Sequence, residues 1–487
     1  MTDAAHDDLR ARLDHYRRLL PPGEMARLEA SLAQPRPPAL RVNTLKIAVD
    51  EARGTWPSWY GWEVRDVPFC PAGWQILRQE QPVGQTLEHD MGCYYVQDAA
   101  SMLPVELFSA HDAPLILDLA AAPGGKTTPL ASRYADRGVI LANDSSARRL
   151  TALRSNLQTW GVFGALTTNF PGELLGRWFP ETFDRVLLDA PCSGDTLRPA
   201  TGGRARAVSE RERAALCQRQ DALLLSAFLA ARPGGEIVYA TCTLAPEEDE
   251  AILDGLLARF PGAVAVESVE HAPDAPGLET DGARAFDPAV RRAIRLWPHR
   301  YQTSGFFTAR LRKLESAPVA PDERPARPWA RTGLTPLSPV QVARLSADWH
   351  ALYGFDVDAL LAAGGLTLWA RERLLFAVPE RLIALFGDVP HASAGFLIGQ
   401  DMNGVAAPSH ELITRFSRAF SGARLSLDGE QVALWRQGRD LRPAPDAPYP
   451  PGTVVLLQDE RGRFVGRGKL LRDRVRNLLP RRVTGAP

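Results

Sequence analysis

Short apolar runs recur through the middle of the chain, and each stops abruptly on a polar residue: Asp118, Asn143, Thr168, Asp189 and Thr241. The segments between them mostly have helical spacing. Unbroken apolar runs of this length mark strands buried on both faces. Strand–helix alternation predicts a parallel, doubly wound sheet. Two later runs, 293–297 and 305–311, are separated by a polar turn and predict a closing antiparallel hairpin. The fold class expected for residues 111–314 is therefore α/β, a Rossmann-like domain with a mostly parallel sheet.

The same patterning divides the rest. Leu9, Leu13, Tyr16, Leu19 and Leu20 recur near helical spacing until Pro21-Pro22-Gly23 breaks it. A second helix is expected over about 24–32, and residues 40–45 alternate as a strand would. Residues 1–110 thus read as a small N-terminal α/β domain. The segment 315–330 has the proline-rich composition of a linker. Beyond it, 331–400 mixes helical patterns with short strands, and 401–487 is β-rich with glycine turns.

At 487 residues the chain is too long for one core. No apolar stretch approaches the roughly 18 residues of a membrane span, and no basic segment leads into an apolar one near Met1, so a cytoplasmic protein is expected. Five cysteines without framework spacing imply reduced thiols. Nine scattered histidines give no metal site. Net charge is zero, but residues 461–487 hold nine Lys/Arg against one acid, Asp473. Arg467, Lys469, Arg472, Arg474 and Arg476 are candidate phosphate contacts; the alternative is a solvated basic tail.

Chemistry concentrates at three strand ends. A glycine-rich turn, Leu117-Asp118-Leu119-Ala120-Ala121-Ala122-Pro123-Gly124-Gly125-Lys126-Thr127-Thr128, precedes Cys192 in Asp189-Ala190-Pro191-Cys192-Ser193-Gly194 and Cys242 in Thr241-Cys242-Thr243. The turn admits two readings. As a relaxed P-loop it would serve an NTPase, but its first position lacks glycine and Pro123 removes an N–H from the cradle. As a methyl-donor site it lets backbone approach a nucleoside, and Asp144 stands where a ribose-binding carboxylate is needed. The thiols favour the second reading. C5 of cytosine or uracil is too weak a nucleophile to accept a methyl group until a thiolate adds at C6. Asp189 could supply the proton at N3, and a second cysteine could assist release. These residues alone leave open which thiol attacks. Cys70, Cys93 and Cys217 lack such surroundings and read as core fillers.

The three stretches resemble the signature motifs of the Sun-type (Nol/Nop/Sun) RNA cytosine-5 methyltransferases. The likeness extends to 40–46, to Tyr95-Val96-Gln97-Asp98-Ala99-Ala100-Ser101-Met102, and to Arg295-Leu296-Trp297-Pro298-His299-Arg300 with Gly305-Phe306-Phe307, over about 1–314. The resemblance implies that Cys242 is the nucleophile, Cys192 acts in product release and Asp189 faces cytosine N3. It implies S-adenosylmethionine contacts at Ala120, Ala121, Ala122, Pro123, Gly124, Gly125, Lys126, Asp144, Arg149, Asn169 and Asp189, and no metal. Ala120 replaces a frequent cysteine. Pro171 stands where an acidic residue is usual, with Asn169 two residues earlier as its substitute. Pro408-Ser409-His410 and the segments 465–469 and 477–481 resemble the F group of ribosomal small-subunit methyltransferases, implying a PUA-like RNA-binding module over 401–487. The expected partner is 16S ribosomal RNA near the decoding site, free or in the assembled 30S subunit, met by a monomer. The alternatives are a transfer-RNA enzyme, an NTPase, or a catalytically silent RNA-binding assembly factor.

Overall fold

The computed structural model describes residues 13, 16–194, 208–317, 319, 322–402, 405–442 and 448–484. Leu9 of the expected first helix lies outside the described residues; Leu13 and Tyr16 are helical and buried.

Five strands pair in parallel in the order Ala165–Thr168, Val139–Asn143, Leu115–Asp118, Phe183–Asp189 and Ala231–Thr241. They end on the five polar residues that punctuate the sequence. Side chains alternate between two cores. Leu117, Val186 and Ile237 share a core with helices Gly172–Trp178, Glu210–Ala230 and Glu250–Arg259. Ile116, Leu187 and Val238 share one with helices Thr127–Arg133 and Ala147–Trp160. The strand order reverses between Leu115–Asp118 and Phe183–Asp189, the place where open α/β sheets bind ligands.

Four of the five polar strand ends, Asp118, Asn143, Thr168 and Thr241, are buried, so each must find hydrogen bonds inside the protein, while Asp189 is partly exposed. Asn143 meets this most fully. Its amide donates to the carbonyls of Leu119 and Phe170 at 3.2 and 3.0 Å, and its oxygen accepts from Thr168 Oγ1 at 3.0 Å.

The closing hairpin forms, with additions. Phe306–Lys313 pairs antiparallel with Ala231–Thr241, and its other edge is shared by two short strands, Ile294–Leu296 and Val264–Glu267. The latter is too short for its period to announce it. At the opposite edge of the sheet, Ser393–Ala394 pairs with Leu166 and Thr167. The C-terminal half is thereby joined to the parallel sheet through backbone hydrogen bonds.

The N-terminal sheet is antiparallel, in the order Glu63–Val67, Cys70–Arg78, Ala39–Val42, Tyr94–Val96. The alternation expected over 40–45 does not hold. Ala39–Val42 is buried on both faces, and Asn43 opens a turn in which its Oδ1 accepts from Leu45 N–H at 3.1 Å. Beyond the proline-rich segment, five antiparallel strands run from Thr335–Pro336 to Ala406–Pro408, so the division expected at 400 falls within the strand Phe396–Asp401. A last four-stranded sheet spans 424–477, and its apolar side chains continue the core of the sheet before it.

Arg295 closes the catalytic domain. It is fully buried, donating from Nε to Glu250 Oε1 at 2.9 Å and from Nη1 to the Leu244 carbonyl at 2.7 Å, with Asp249 Oδ2 at 3.3 Å. Removing one member of such a group leaves buried charge unanswered, at about 3–5 kcal/mol. Arg295→Met is therefore expected to lower unfolding free energy by about that amount in urea titration; a loss within experimental error would show that the acids are held by other means.

Candidate active site

Asp189 and Ala240 lie opposite each other on neighbouring parallel strands, so the chain leaves the sheet at the same height twice. That register sets Cys192 Sγ 2.9 Å from Cys242 Sγ, both thiols free and half-buried. Glu248, fully buried, fixes the Cys192 loop. Its Oε2 accepts from Ser193 N–H at 2.9 Å and from Gln220 Nε2 at 3.0 Å, and Arg213 holds its Oε1 at 3.0 Å. Gln220 also donates to the Pro191 carbonyl at 3.0 Å.

The contact makes the thiols unequal. The Cys192 hydrogen bond pushes the Cys242 thiol below the ordinary range, and the nearby Lys126 ammonium works in the same direction. That bond, burial and the Glu248 carboxylate push Cys192 well above it. The two shifts run in opposite directions, which favours Cys242 over Cys192 as the thiol that ionises first. The three other cysteines are held protonated by burial, Cys70 and Cys93 up to about 12 and Cys217 to about 11.

The glycine-rich turn spends its own N–H groups internally. Ala121 donates to the Asn143 carbonyl at 2.7 Å, Ala122 to Asp144 Oδ2 at 3.2 Å, and Gly124 to the Ala121 carbonyl at 2.7 Å. Gly124 has φ +106°, which a side chain would strain, and the Ala122–Pro123 peptide is cis. These three N–H groups are not free to meet a phosphate, and Lys126 Nζ is committed to Asp189 Oδ2 at 2.6 Å.

A cavity of about 430 Å³ opens over these groups, lined by Ala120, Lys126, Asp144, Arg149, Asp189 and both thiols. Its size suits a nucleoside-bearing ligand, and its carboxylates suit a positively charged one. Leu119, Gly172 and Leu223 form an apolar part of its wall; a Cβ on Gly172 would sit 2.8 Å from Leu223. Asp144 is pinned by Ser146 N–H at 2.9 Å and Arg149 at 3.4 Å. Residues Ala121 to Gly125 shape the turn behind the cavity. Asn169 is exposed outside it, donating to the Asp144 carbonyl at 2.7 Å.

Three contributors escape sequence reasoning. Arg41 is buried, donating to the Gly125 carbonyl at 3.0 Å and to Thr128 Oγ1 at 2.9 Å while packed on Trp160; burial brings its guanidinium down to about 10. Asp98 accepts from Ser304 Oγ at 2.5 Å, and both line the cavity, joining the N-terminal domain to the strand Phe306–Lys313. Glu248 is the third. Their signal is a charged residue inside an otherwise apolar motif: Leu40-Arg41-Val42, and the acidic run before the apolar helix Glu250–Arg259.

The basic residues near the C-terminus stand in unlike surroundings. Arg467 turns inward and donates to the Pro408 carbonyl at 2.5 Å. Arg474 pairs with Asp440 at 3.1 Å. Lys469 and Arg476 are register partners across an antiparallel pair, with Arg472 exposed nearby. Among the described residues no group of side chains could hold a metal, and no helix is long and apolar enough to cross a membrane.

Residues 105–312 match the 16S rRNA methyltransferase RsmB/F family, and residues 11–99 match the N-terminal domain of 16S rRNA methyltransferase RsmF. A ribosomal RNA small subunit methyltransferase F from Erwinia tasmaniensis is 35% identical over 477 residues, 97% of this chain and 95% of its own. The chain belongs to the RsmB/F methyltransferase family. The enzyme of the same title from Klebsiella pneumoniae is 35% identical over 93% of this methyltransferase and 91% of its own length. A methyltransferase homolog protein from Pyrococcus horikoshii superposes with a TM-score of 0.56 at 31% identity, covering 64% of this chain and all of its own.

In this methyltransferase Asp144→Ala is expected to weaken S-adenosylmethionine binding about tenfold, the loss of one to two charge-assisted hydrogen bonds; unchanged affinity by calorimetry would remove Asp144 from the cofactor site. Cys242 should alkylate with a midpoint pH below that of an ordinary thiol. Lys126→Met removes a positive charge that favours the thiolate, and Cys192→Ala removes its hydrogen bond, so each should move the midpoint upward. A midpoint that stays put in both variants would show that neither group sets the thiolate.

Proposed function

We propose that the chain is an S-adenosylmethionine-dependent cytosine-5 methyltransferase of small-subunit (16S) ribosomal RNA, acting near the decoding site as a cytoplasmic monomer. The paired thiols beside the Asp144 cavity carry this reading. Held there by Asp144, Arg149 and the Ala120–Lys126 turn, with Asn169 bracing the Asp144 backbone from outside the cavity, the cofactor would supply an electrophilic methyl group. The Cys242 thiolate adds to C6 and drives its electron pair toward C5. Asp189 holds the proton at N3, and the adjacent Lys126 ammonium offsets charge on the ring. Once Cys242 is bonded to carbon, it no longer holds the proton on Cys192. Cys192 can then release that proton to solvent at the open cavity and take the one on C5; the C5–C6 double bond re-forms as the C6–sulfur bond breaks, the N3 proton returns to Asp189, and the Cys192 thiol donates to the departing Cys242 thiolate. The 401–487 segment serves as a PUA-like RNA-binding module.

Methylation assays on 16S RNA, assembled 30S subunits and transfer RNA test the reading, with bisulfite sequencing to locate product. Cys242→Ser should abolish turnover and give no covalent product. Cys192→Ala should accumulate a denaturation-resistant protein–RNA adduct, because attack proceeds and release stalls. Mutants that exchange these behaviours would reverse the two roles. Transfer only to transfer RNA would favour that alternative, and donor binding without transfer to any RNA would indicate a silent assembly factor.

A further inference from the structure

A second cleft, of about 520 Å³, lies where the C-terminal half joins the edge of the catalytic sheet. Helix Ala147–Trp160 contributes Thr151 and Arg154; the facing wall contributes Arg327, Arg371, His391 and Ser393. Among the described residues no carboxylate lines it. The nearest candidate by sequence, Asp388, gives its carboxylate to Arg324 at 2.7 and 2.9 Å and only its backbone carbonyl to Arg327 N–H.

This is unusual within the molecule. Arg213, Arg295, Arg312, Arg415 and Arg463 are each answered by a carboxylate. Arg154, Arg327 and Arg371 have no carboxylate partner among the described residues. The Arg371 guanidinium instead lies over the Phe376 ring, 5.4 Å from its centroid. The His391 ring packs on Trp329 at 5.1 Å, with Nδ1 3.0 Å from the Val389 carbonyl. Arg327, Arg371 and His391 line the same cleft, and burial lowers the His391 pKa against the pull of its Val389 hydrogen bond. A concave, low-dielectric wall of one sign concentrates counter-charge.

The position matters as much as the charge. Helix Ala147–Trp160 carries Arg149 at the catalytic cavity and Arg154 in this cleft, about 7.5 Å further along its axis. The thiols lie three to four strand spacings across the sheet from this edge, about 14–19 Å, so backbone flanking a target base at the thiols would reach the cleft within a few nucleotides.

We propose that this cleft binds the phosphodiester backbone flanking the target nucleotide, with Arg154, Arg327 and Arg371 on phosphate oxygens and the hydroxyls of Thr151 and Ser393 beside them. The proposal rests on the RNA-methyltransferase reading and adds the surface that positions the substrate. Arginine suits it because its planar fork matches phosphate. Such contacts fix register without reading sequence.

The test uses the full-length chain and a 16S RNA transcript in filter binding across a salt series. Arg154→Glu combined with Arg371→Glu should weaken binding at least about tenfold and reduce the salt slope by about 1.4, two phosphates at about 0.7 each. The thermal shift given by S-adenosylmethionine should be unchanged. Arg154→Lys with Arg371→Lys should keep the wild-type slope. If the double glutamate variant does not fold, the double glutamine variant is read in its place. Wild-type affinity and slope in the charge-removed variant would overturn the proposal. So would an arginine-dependent thermal shift with inorganic phosphate, or with a nucleotide, while RNA binding stays intact, since the cleft would then be a small-anion site. A wild-type protein that binds the donor but neither binds nor methylates the transcript would overturn the functional reading and this inference together.

Discussion

Glu248, Asp249 and Glu250 are consecutive and fully buried, and the catalytic geometry hangs on how they are answered. Three carboxylates do not enter a protein interior unless partners meet them there. Arg213, Gln220 and Ser193 N–H take Glu248; Thr241 Oγ1 donates to Asp249 at 2.5 Å; Arg295 reaches Asp249 and Glu250. Two of these bonds fix the residues next to the thiols, and a third ties in the closing strands. Ser193 follows Cys192, Thr241 precedes Cys242, and Arg295 lies on the strand that backs Phe306–Lys313. The acids therefore act as a joint through which both thiol loops and the closing strands share one position.

The joint explains why two similar thiols can take unlike roles. A symmetric pair of cysteines would share a proton without preference. Here Lys126, tethered to Asp189, stands on the Cys242 side, and the Glu248 carboxylate stands on the Cys192 side. The asymmetry lies first in the hydrogen bond between the two sulfurs, with Lys126 and Glu248 acting in the same sense and Asp189 opposing it.

What could be read in the sequence follows from burial. The five catalytic strands were legible because a strand buried on both faces must be continuously apolar and must stop where it meets the site. The cysteines were legible because their flanking residues are not those of core filler. The sulfur–sulfur contact was not, since it depends on the register of Asp189 against Ala240, which pattern alone does not set. Arg41 was missed because an arginine in a short strand reads as solvent-facing, whereas it is buried against Trp160 and the turn. Ser393–Ala394 was missed because two residues have no period. Arg467 looks like a phosphate ligand in a basic string, yet packing turns it inward to a carbonyl.

That two-residue strand changes what kind of object the catalytic domain is. Without Ser393–Ala394, the outer edge of Ala165–Thr168 would present unpaired N–H and C=O groups, a template for pairing with another chain. Phe183 and Phe179 would lose Phe386, which packs on both, at 6.2 and 6.0 Å between centroids. A chain severed within the proline-rich segment would therefore bare a raw sheet edge beside an aromatic patch. The C-terminal half is in this sense the parallel sheet's own cladding, covering an edge and an aromatic patch that would otherwise meet solvent.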